Sequence, residues 1–395
     1  MHSKGLLFKM KNKKILSLIL TFVLLLSFLS GCNLFNAPNS ESEKPQGQEK
    51  PPVITPVPDD GDNSNDSDNS NDGDNSNDDS SASENSGQDT PSQKHTITLK
   101  FNNGQLDDTI LVDDGKTLRT PTDPTKPNYI FDGWYTDGAF TTKYDFSQAV
   151  NYGFTLHAHY RIDGVNLTNT ITTDAVKGVV KIYNKSYNKN FFGSTTEYST
   201  SQGSGFIFHQ SDNVFYVITN CHVAKLKSGY SYQQFQIVDY QDKTYDAKLY
   251  TNSKKLGDAI SPDYDLAVLY FTADISTSNV CALPLGATNP KTGDDVISVT
   301  APNGQQNAIS FGKVKDYVNV TLSEKDETSS NVTFPVIYHD GYINNGSSGG
   351  ALFDSSLYVV GVNYAGSNSD AKSNYKSYAV PIEKVKEFLN AYVYN

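Results

Sequence analysis

The chain has 395 residues and a net charge of −12, room for two or three domains, and its charge is placed unevenly. Residues 51–93 hold eleven Asp or Glu and no Lys or Arg, so one polar segment supplies nearly all the imbalance and only part of the chain is composed to fold. No basic patch stands out in the foldable remainder, which argues against a nucleic-acid partner.

Lys4, Lys9, Lys11, Lys13 and Lys14 precede an apolar run from Ile15 to Leu29. Positive residues before a short apolar stretch predict an export signal, and the run falls short of the about 20 residues that span a bilayer. It ends in Leu29-Ser30-Gly31-Cys32, which resembles the lipobox of bacterial lipoproteins. That resemblance implies a signal peptide over 1–31, cleavage before Cys32 and lipidation of Cys32, with an uncleaved signal anchor as the alternative. Either reading places the body of the protein on the extracellular face of the cytoplasmic membrane. Cys221 and Cys281 remain; they pair only if their Cα atoms lie within about 7 Å, and small buried thiols are the expected state.

Residues 32–94 are rich in Ser, Asn, Asp, Gly and Pro, with the hexad Asp-Asn-Ser-Asn-Asp-X repeated three times over Asp62–Asp79. A calcium loop of that sort needs a closing bidentate Glu, and the repeats contain none. The segment reads as a disordered, self-repelling tether.

Residues 95–161 read as a small β module. Ile97, Leu99 and Phe101 alternate with Thr96, Thr98 and Lys100, and Asn102-Asn103-Gly104 marks a turn. Then come Gly133-Trp134-Tyr135, Tyr144-Asp145-Phe146 and Phe154–Tyr160. This order resembles the internalin-type B-repeat, which implies a β-grasp-like spacer or adhesion module with possible cell-surface or wall contacts and no chemistry. His157 and His159 share a strand face at i, i+2, but a third metal ligand at suitable spacing is missing, so no metal is expected.

From about residue 165 to 395 short β runs recur with turns every 8–12 residues, among them 178–183, 205–208, 214–219, 235–240, 266–271, 296–299, 309–314, 333–338 and 358–362. The spacing predicts an all-β sandwich or barrel. The one clear helix is expected over Pro381–Tyr392, with Pro381 in its first turn and Val385, Phe388 and Leu389 as its apolar stripe.

Three features in this region bear on chemistry. Asn345-Gly346-Ser347-Ser348-Gly349-Gly350 holds two serines between glycines, where sharp backbone bends point amides at one spot. His222 stands where the apolar run Phe215–Thr219 gives way to a polar turn, and Asp265 directly precedes Leu266–Tyr270. Each alone fits a turn or a strand-end residue. Together, in the order His222, Asp265, Ser348, they form one of the known chain orders of a serine-hydrolase triad.

With Gly203-Ser204-Gly205-Phe206-Ile207, Val217–Val223, Asp265–Leu269, Leu283–Gly286, Gly293–Val296, Asp340–Leu352 and Val360–Asn363, the segment resembles the trypsin-like serine proteases of the bacterial HtrA/Deg branch. The resemblance implies a chymotrypsin-like double β-barrel that cleaves polypeptide substrates without metal or cofactor. It assigns Ser348 as nucleophile, His222 as base and Asp265 as the orienting carboxylate. The amides of Gly346 and Ser348 would form the oxyanion hole, and Asn363, Tyr364, Ala365 and Gly366 would pair with substrate as an added strand. Ser347 is an alternative nucleophile, but the family places two glycines directly after the reacting serine.

Departures from the branch are Asn345 and Ser347 for Pro and Asn, Cys221 for Asn, and Thr300-Ala301 for Gly-Asn. Cys221 beside the base suggests redox-sensitive activity. No PDZ-like segment is matched within these residues, so the oligomeric quality control usual in the branch is not expected. Tyr342, six positions before the nucleophile, borders the primary pocket by the same resemblance, and an uncharged small or aliphatic residue is expected at the cleaved bond. The rival reading is a surface adhesion protein whose protease-like domain has lost turnover.

Overall fold

The computed structural model describes residues 92–395 apart from 256, 322–331, 367–374 and 395. The leader, Cys32 and most of the tether lie outside the described residues.

The first unit is a mixed four-stranded sheet of β1 (Lys94–Lys100), β2 (Asp108–Asp113), β3 (Tyr129–Tyr135) and β4 (Phe154–Ile162), in the order β2-β1-β4-β3 with β1 and β4 parallel. Period-two alternation sends Ile97, Leu99, Leu156 and Ala158 to one face, where they are buried with Trp134. Phe101 and Phe131 meet the indole edge-on, each with centroids 5.8 Å away.

A ten-residue helix, Gly164–Thr173, follows. The sequence reading missed it because its Asn- and Thr-rich composition has poor helix propensity. Asp163 caps its N-terminus by accepting the Asn166 N–H (3.1 Å), and Leu167 and Ile171, one turn apart, are buried in the larger core.

The rest is two closed six-stranded barrels. The first consists of β5 (Val179–Lys189), β6 (Thr195–Ser211), β7 (Val214–Thr219), β8 (Tyr232–Val238), β9 (Thr244–Leu249) and β13 (Leu266–Thr272), closed by pairing of β9 with β13. Three two-residue strands, β10 (Thr251–Asn252), β11 (Gly257–Asp258) and β12 (Ile260–Ser261), lie in its final connection. The second consists of β14 (Asp295–Thr300), β15 (Ala308–Val318), β16 (Val336–His339), β17 (Ala351–Asp354), β18 (Val359–Gly366) and β19 (Ser377–Pro381), in the closed order β14-β15-β16-β19-β18-β17. The expected chymotrypsin-like double barrel is therefore present. One core runs across both barrels, joining Phe206, Ile218 and Leu266 to Phe353, Val359 and Val362.

The terminal helix spans Ile382–Tyr392 and buries Val385, Phe388 and Leu389 as expected, with Pro381 at the N-cap position rather than within the first turn. A larger difference is the β5–β6 hairpin. Only its base was anticipated, and its register runs unbroken from Val179↔Phe206 to Asn188↔Glu197 before a single shift near the tip.

Candidate active site

Neighbouring strand ends bring His222 and Asp265 together. β13 pairs with β7, Ala267 opposite Thr219, so the residue before one strand lies beside the turn after the other. That turn is a single helical turn, Cys221–Ala224. Asp265 adopts a left-handed conformation, φ 50°, which Asp tolerates better than most residues. From there its carboxylate grips the histidine twice: Oδ2 accepts from Nδ1 (2.8 Å) and Oδ1 accepts the His222 backbone N–H (3.1 Å). Asn220 Nδ2 donates to the Asp265 carbonyl (2.9 Å), fixing the turn. Asp265 is fully buried and the His222 side chain is 16% exposed, so bulk water weakens this pair little. A proton held on Nδ1 leaves the Nε2 lone pair to accept another.

The serine turn packs directly onto that histidine turn. Gly349 has φ +88°, and a Cβ there would stand 2.2 Å from the Ser204 carbonyl, 2.3 Å from Thr219 Oγ1 and 3.1 Å from the Asn220 amide. Only glycine lets the chain approach so closely. Gly203 is pressed between Val223, the residue after the base, and the Ser348 carbonyl, 2.6 and 3.1 Å from an added Cβ.

The choice between the two serines follows from their surroundings. Ser347 is buried, and its Oγ accepts from Thr300 Oγ1 (3.1 Å) and the Asn344 N–H (3.2 Å), so it braces the turn. Ser348 is partly exposed, and its Oγ makes only a long bond to the Tyr364 carbonyl (3.5 Å). No hydrogen bond joins it to His222 Nε2, a contact that is often long without substrate and tightens when substrate binds.

Three amides in this turn are committed: Ser347 N–H to the Asn344 carbonyl, Gly349 N–H to the Asn363 carbonyl and Gly350 N–H to the Ser347 carbonyl. Among the described residues, the Gly346 and Ser348 amides have no such acceptor. These are the two expected to stabilise an oxyanion, and leaving them unspent is what that task needs.

Ser204 was quoted within a motif but given no role, and it ties the two barrels together here. Standing on β6 of the first barrel, its N–H donates to the Ser348 carbonyl (2.8 Å). Its Oγ donates to the Gly346 carbonyl (2.6 Å) and accepts the Ala301 N–H (2.9 Å). These partners are about 100 residues or more away in sequence, so no local pattern signals them.

Two expectations need correction. Asn363 cannot pair with substrate, because its N–H and carbonyl are bonded to Gly350 and Gly349 and its buried side chain bridges Ser298, His339 and the Gly350 and Ala351 carbonyls. The Tyr364 side chain is buried, but its carbonyl faces Ser348 Oγ (3.5 Å), and Ala365 and Gly366 beyond it are more open. Cys221 is a buried thiol, 4% exposed, so the suggested redox sensitivity loses its physical basis.

Tyr342 is 37% exposed and meets Tyr375 edge-on at 4.8 Å. Burial, with Asp265 nearby, pushes the Tyr364 phenol above its ordinary range. Burial also lowers His339 to about 4, so this histidine, bonded through Nε2 to Asn363 Oδ1 (3.1 Å), is neutral at physiological pH. In the repeat module His159 bonds Asp132 (3.0 Å), and the described residues contain no group of three His, Cys, Asp or Glu placed to hold a metal.

Residues 203–362 match the trypsin-like peptidase domain, and residues 95–159 match the Listeria-Bacteroides repeat domain. The chain is 31% identical over 189 residues to Protease Do-like 5, chloroplastic, of Arabidopsis thaliana, covering 46% of this chain and 54% of that one. It is 26% identical over 262 residues to the serine protease Do-like HtrA of Lactobacillus helveticus, covering 64% and 59%. Against the Bacillus subtilis serine protease Do-like HtrA it is 31% identical over 222 residues, covering 54% and 44%. The chain thus spans about half the length of the curated relatives it matches. Among solved structures, the Rv3671c protease of M. tuberculosis in its active form aligns with a TM-score of 0.42 at 22% identity, over 58% of this chain and 87% of that one.

Proposed function

We propose that the chain is a serine endopeptidase that cleaves polypeptides through an acyl-enzyme. The observation that carries this reading is the two-point grip of buried Asp265 on His222, beside a serine turn whose Gly346 and Ser348 amides are unspent. His222 Nε2 takes the Ser348 proton as Oγ attacks the scissile carbonyl, and the oxyanion is held by the two amides. His222 then protonates the leaving amine, and water hydrolyses the ester by the same route. Substrate would add a strand beside Tyr364, Ala365 and Gly366. The uncharged phenol of Tyr342 favours an uncharged residue at the cleaved position. The test is labelling by a fluorophosphonate probe: Ser348 reacts and Ser348→Ala does not, whereas equal inertness of both would refute the enzyme reading.

The location we propose is the outer face of a cytoplasmic membrane, with lipid on Cys32 and the repeat module as a spacer. The lipobox-like Leu29–Cys32 supports it. The intact mass of the mature chain reads whether Cys32 is acylated. Release of Cys32→Ala from membranes is the expected result, and retention favours an uncleaved anchor.

A further inference from the structure

The β5–β6 hairpin ends in two adjacent, almost fully exposed aromatic side chains, Phe191 at 97% and Phe192 at 87%. They are presented by a built turn. Asn190 Oδ1 accepts the Phe192 and Ser194 N–H groups at 3.0 Å each, the Gly193 N–H returns to the Asn190 carbonyl, and the two rings meet edge-on at 5.6 Å.

The shaft behind the tip is equally distinctive. Lys181, Tyr183, Lys185, Tyr187 and Lys189 alternate along one face of β5. Lys185 lies over Tyr198 (4.4 Å) and Lys189 over Tyr232 (5.1 Å), while Tyr187 stacks on Tyr232 (5.5 Å, 20°). Strands β5, β6 and β8 together carry these three lysines and one carboxylate, Glu197, in a chain that is acidic overall.

We propose that this hairpin docks on the surface of a bilayer containing anionic lipid, with Phe191 and Phe192 in the interface and Lys185 and Lys189 on the headgroups. Apolar rings at the tip, tyrosines behind them and lysines at the same level are the side chains that the boundary between hydrocarbon and water selects. A second copy of the chain would have to cover the lysines as well as the rings, and the hairpin offers only Glu197 as a counter-charge. The proposal rests on the membrane location above for its partner. Only about 60 residues separate Cys32 from β1, so a chain held by lipid at Cys32 keeps the hairpin within reach of the bilayer. Eight residues of β5 separate Lys189 from Lys181, which pairs with Ser204 at the catalytic turn, so docking would hold that turn about 26 Å above the tip. Substrates would then be segments close to the membrane.

The test uses the full chain with Phe192→Trp, reconstituted into vesicles of phosphatidylcholine with or without phosphatidylglycerol, using lipids brominated along their acyl chains. The expected result is quenching of the introduced indole above the parent's Trp134 background, strongest with phosphatidylglycerol. Lys185→Gln/Lys189→Gln should lower the docked-to-undocked ratio about 30-fold with peptidase rates unchanged. Absence of quenching overturns the proposal whether or not the chain sediments with the vesicles. An emission shift that follows protein concentration rather than lipid also overturns it, in favour of self-association. Quenching without stable sedimentation supports docking and refutes only the anchor.

Discussion

His159 and Asp132 lie 3.0 Å apart in the repeat module, and His222 and Asp265 lie 2.8 Å apart at the strand ends of the first barrel. By distance the pairs are nearly equivalent. Their surroundings differ: the first pair is about one-third exposed on both sides, whereas Asp265 is fully buried and His222 nearly so. Asp132 also accepts from the Tyr135 hydroxyl (2.7 Å), whose bond, followed by that of His159, holds its carboxyl below the usual range. Asp265 spends both oxygens on one residue, His222, and has a serine turn packed against the same elements. A histidine–aspartate contact is therefore not chemistry by itself; burial, a two-point grip and an apposed serine turn distinguish the second pair.

The sharpest way to break the comparison is to remove each histidine. His222→Ala or Ser348→Ala should lower kcat for peptide hydrolysis by about 10⁵- to 10⁶-fold, while His159→Ala leaves it unchanged. Equal effects at the two histidines would mean that the pairs had been misjudged. Asp265→Asn keeps the shape but frees the wrong tautomer, and a loss of about 10⁴-fold in kcat is expected, against none for Asp132→Asn.

Stability should follow a third histidine. His339 is buried and depressed to about 4, below its unfolded value of about 6.5, so the unfolded chain binds the proton more readily. Its contribution is present above pH 6.5 and is lost as pH falls towards 4, an order of about 3 kcal/mol. Thermal melting across that range should show a slope that His339→Gln flattens. The smallest effect is expected at Ser204. Ser204→Ala removes the bonds to the Gly346 carbonyl and the Ala301 amide, and should cost about 10- to 100-fold in kcat with little change in KM. A change confined to KM would place Ser204 in substrate binding instead.

What could be read from the sequence was local or ordered along the chain. His222 and Asp265 each adjoin an apolar strand, and their order with Ser348 survives without coordinates. Among the strands not anticipated, β9, Thr-Tyr-Asp-Ala-Lys-Leu, and the outer halves of β5 and β6 carry little apolar signal, whereas β17 and β19 are apolar but only four and five residues long. Ser204 and the internal bonding of Asn363 were illegible because their partners are set by the closure of two barrels. Phe191 and Phe192 could be read as apolar residues, but only the turn at Asn190 shows that they point into solvent.

The central claim is that Ser348 is a nucleophile activated by His222. Fluorophosphonate labelling followed by peptide mapping tests it most directly. Modification should fall on Ser348 alone, and it should be lost in His222→Ala as well as in Ser348→Ala. Labelling of Ser347, or labelling of Ser348 that persists undiminished without His222, would contradict it.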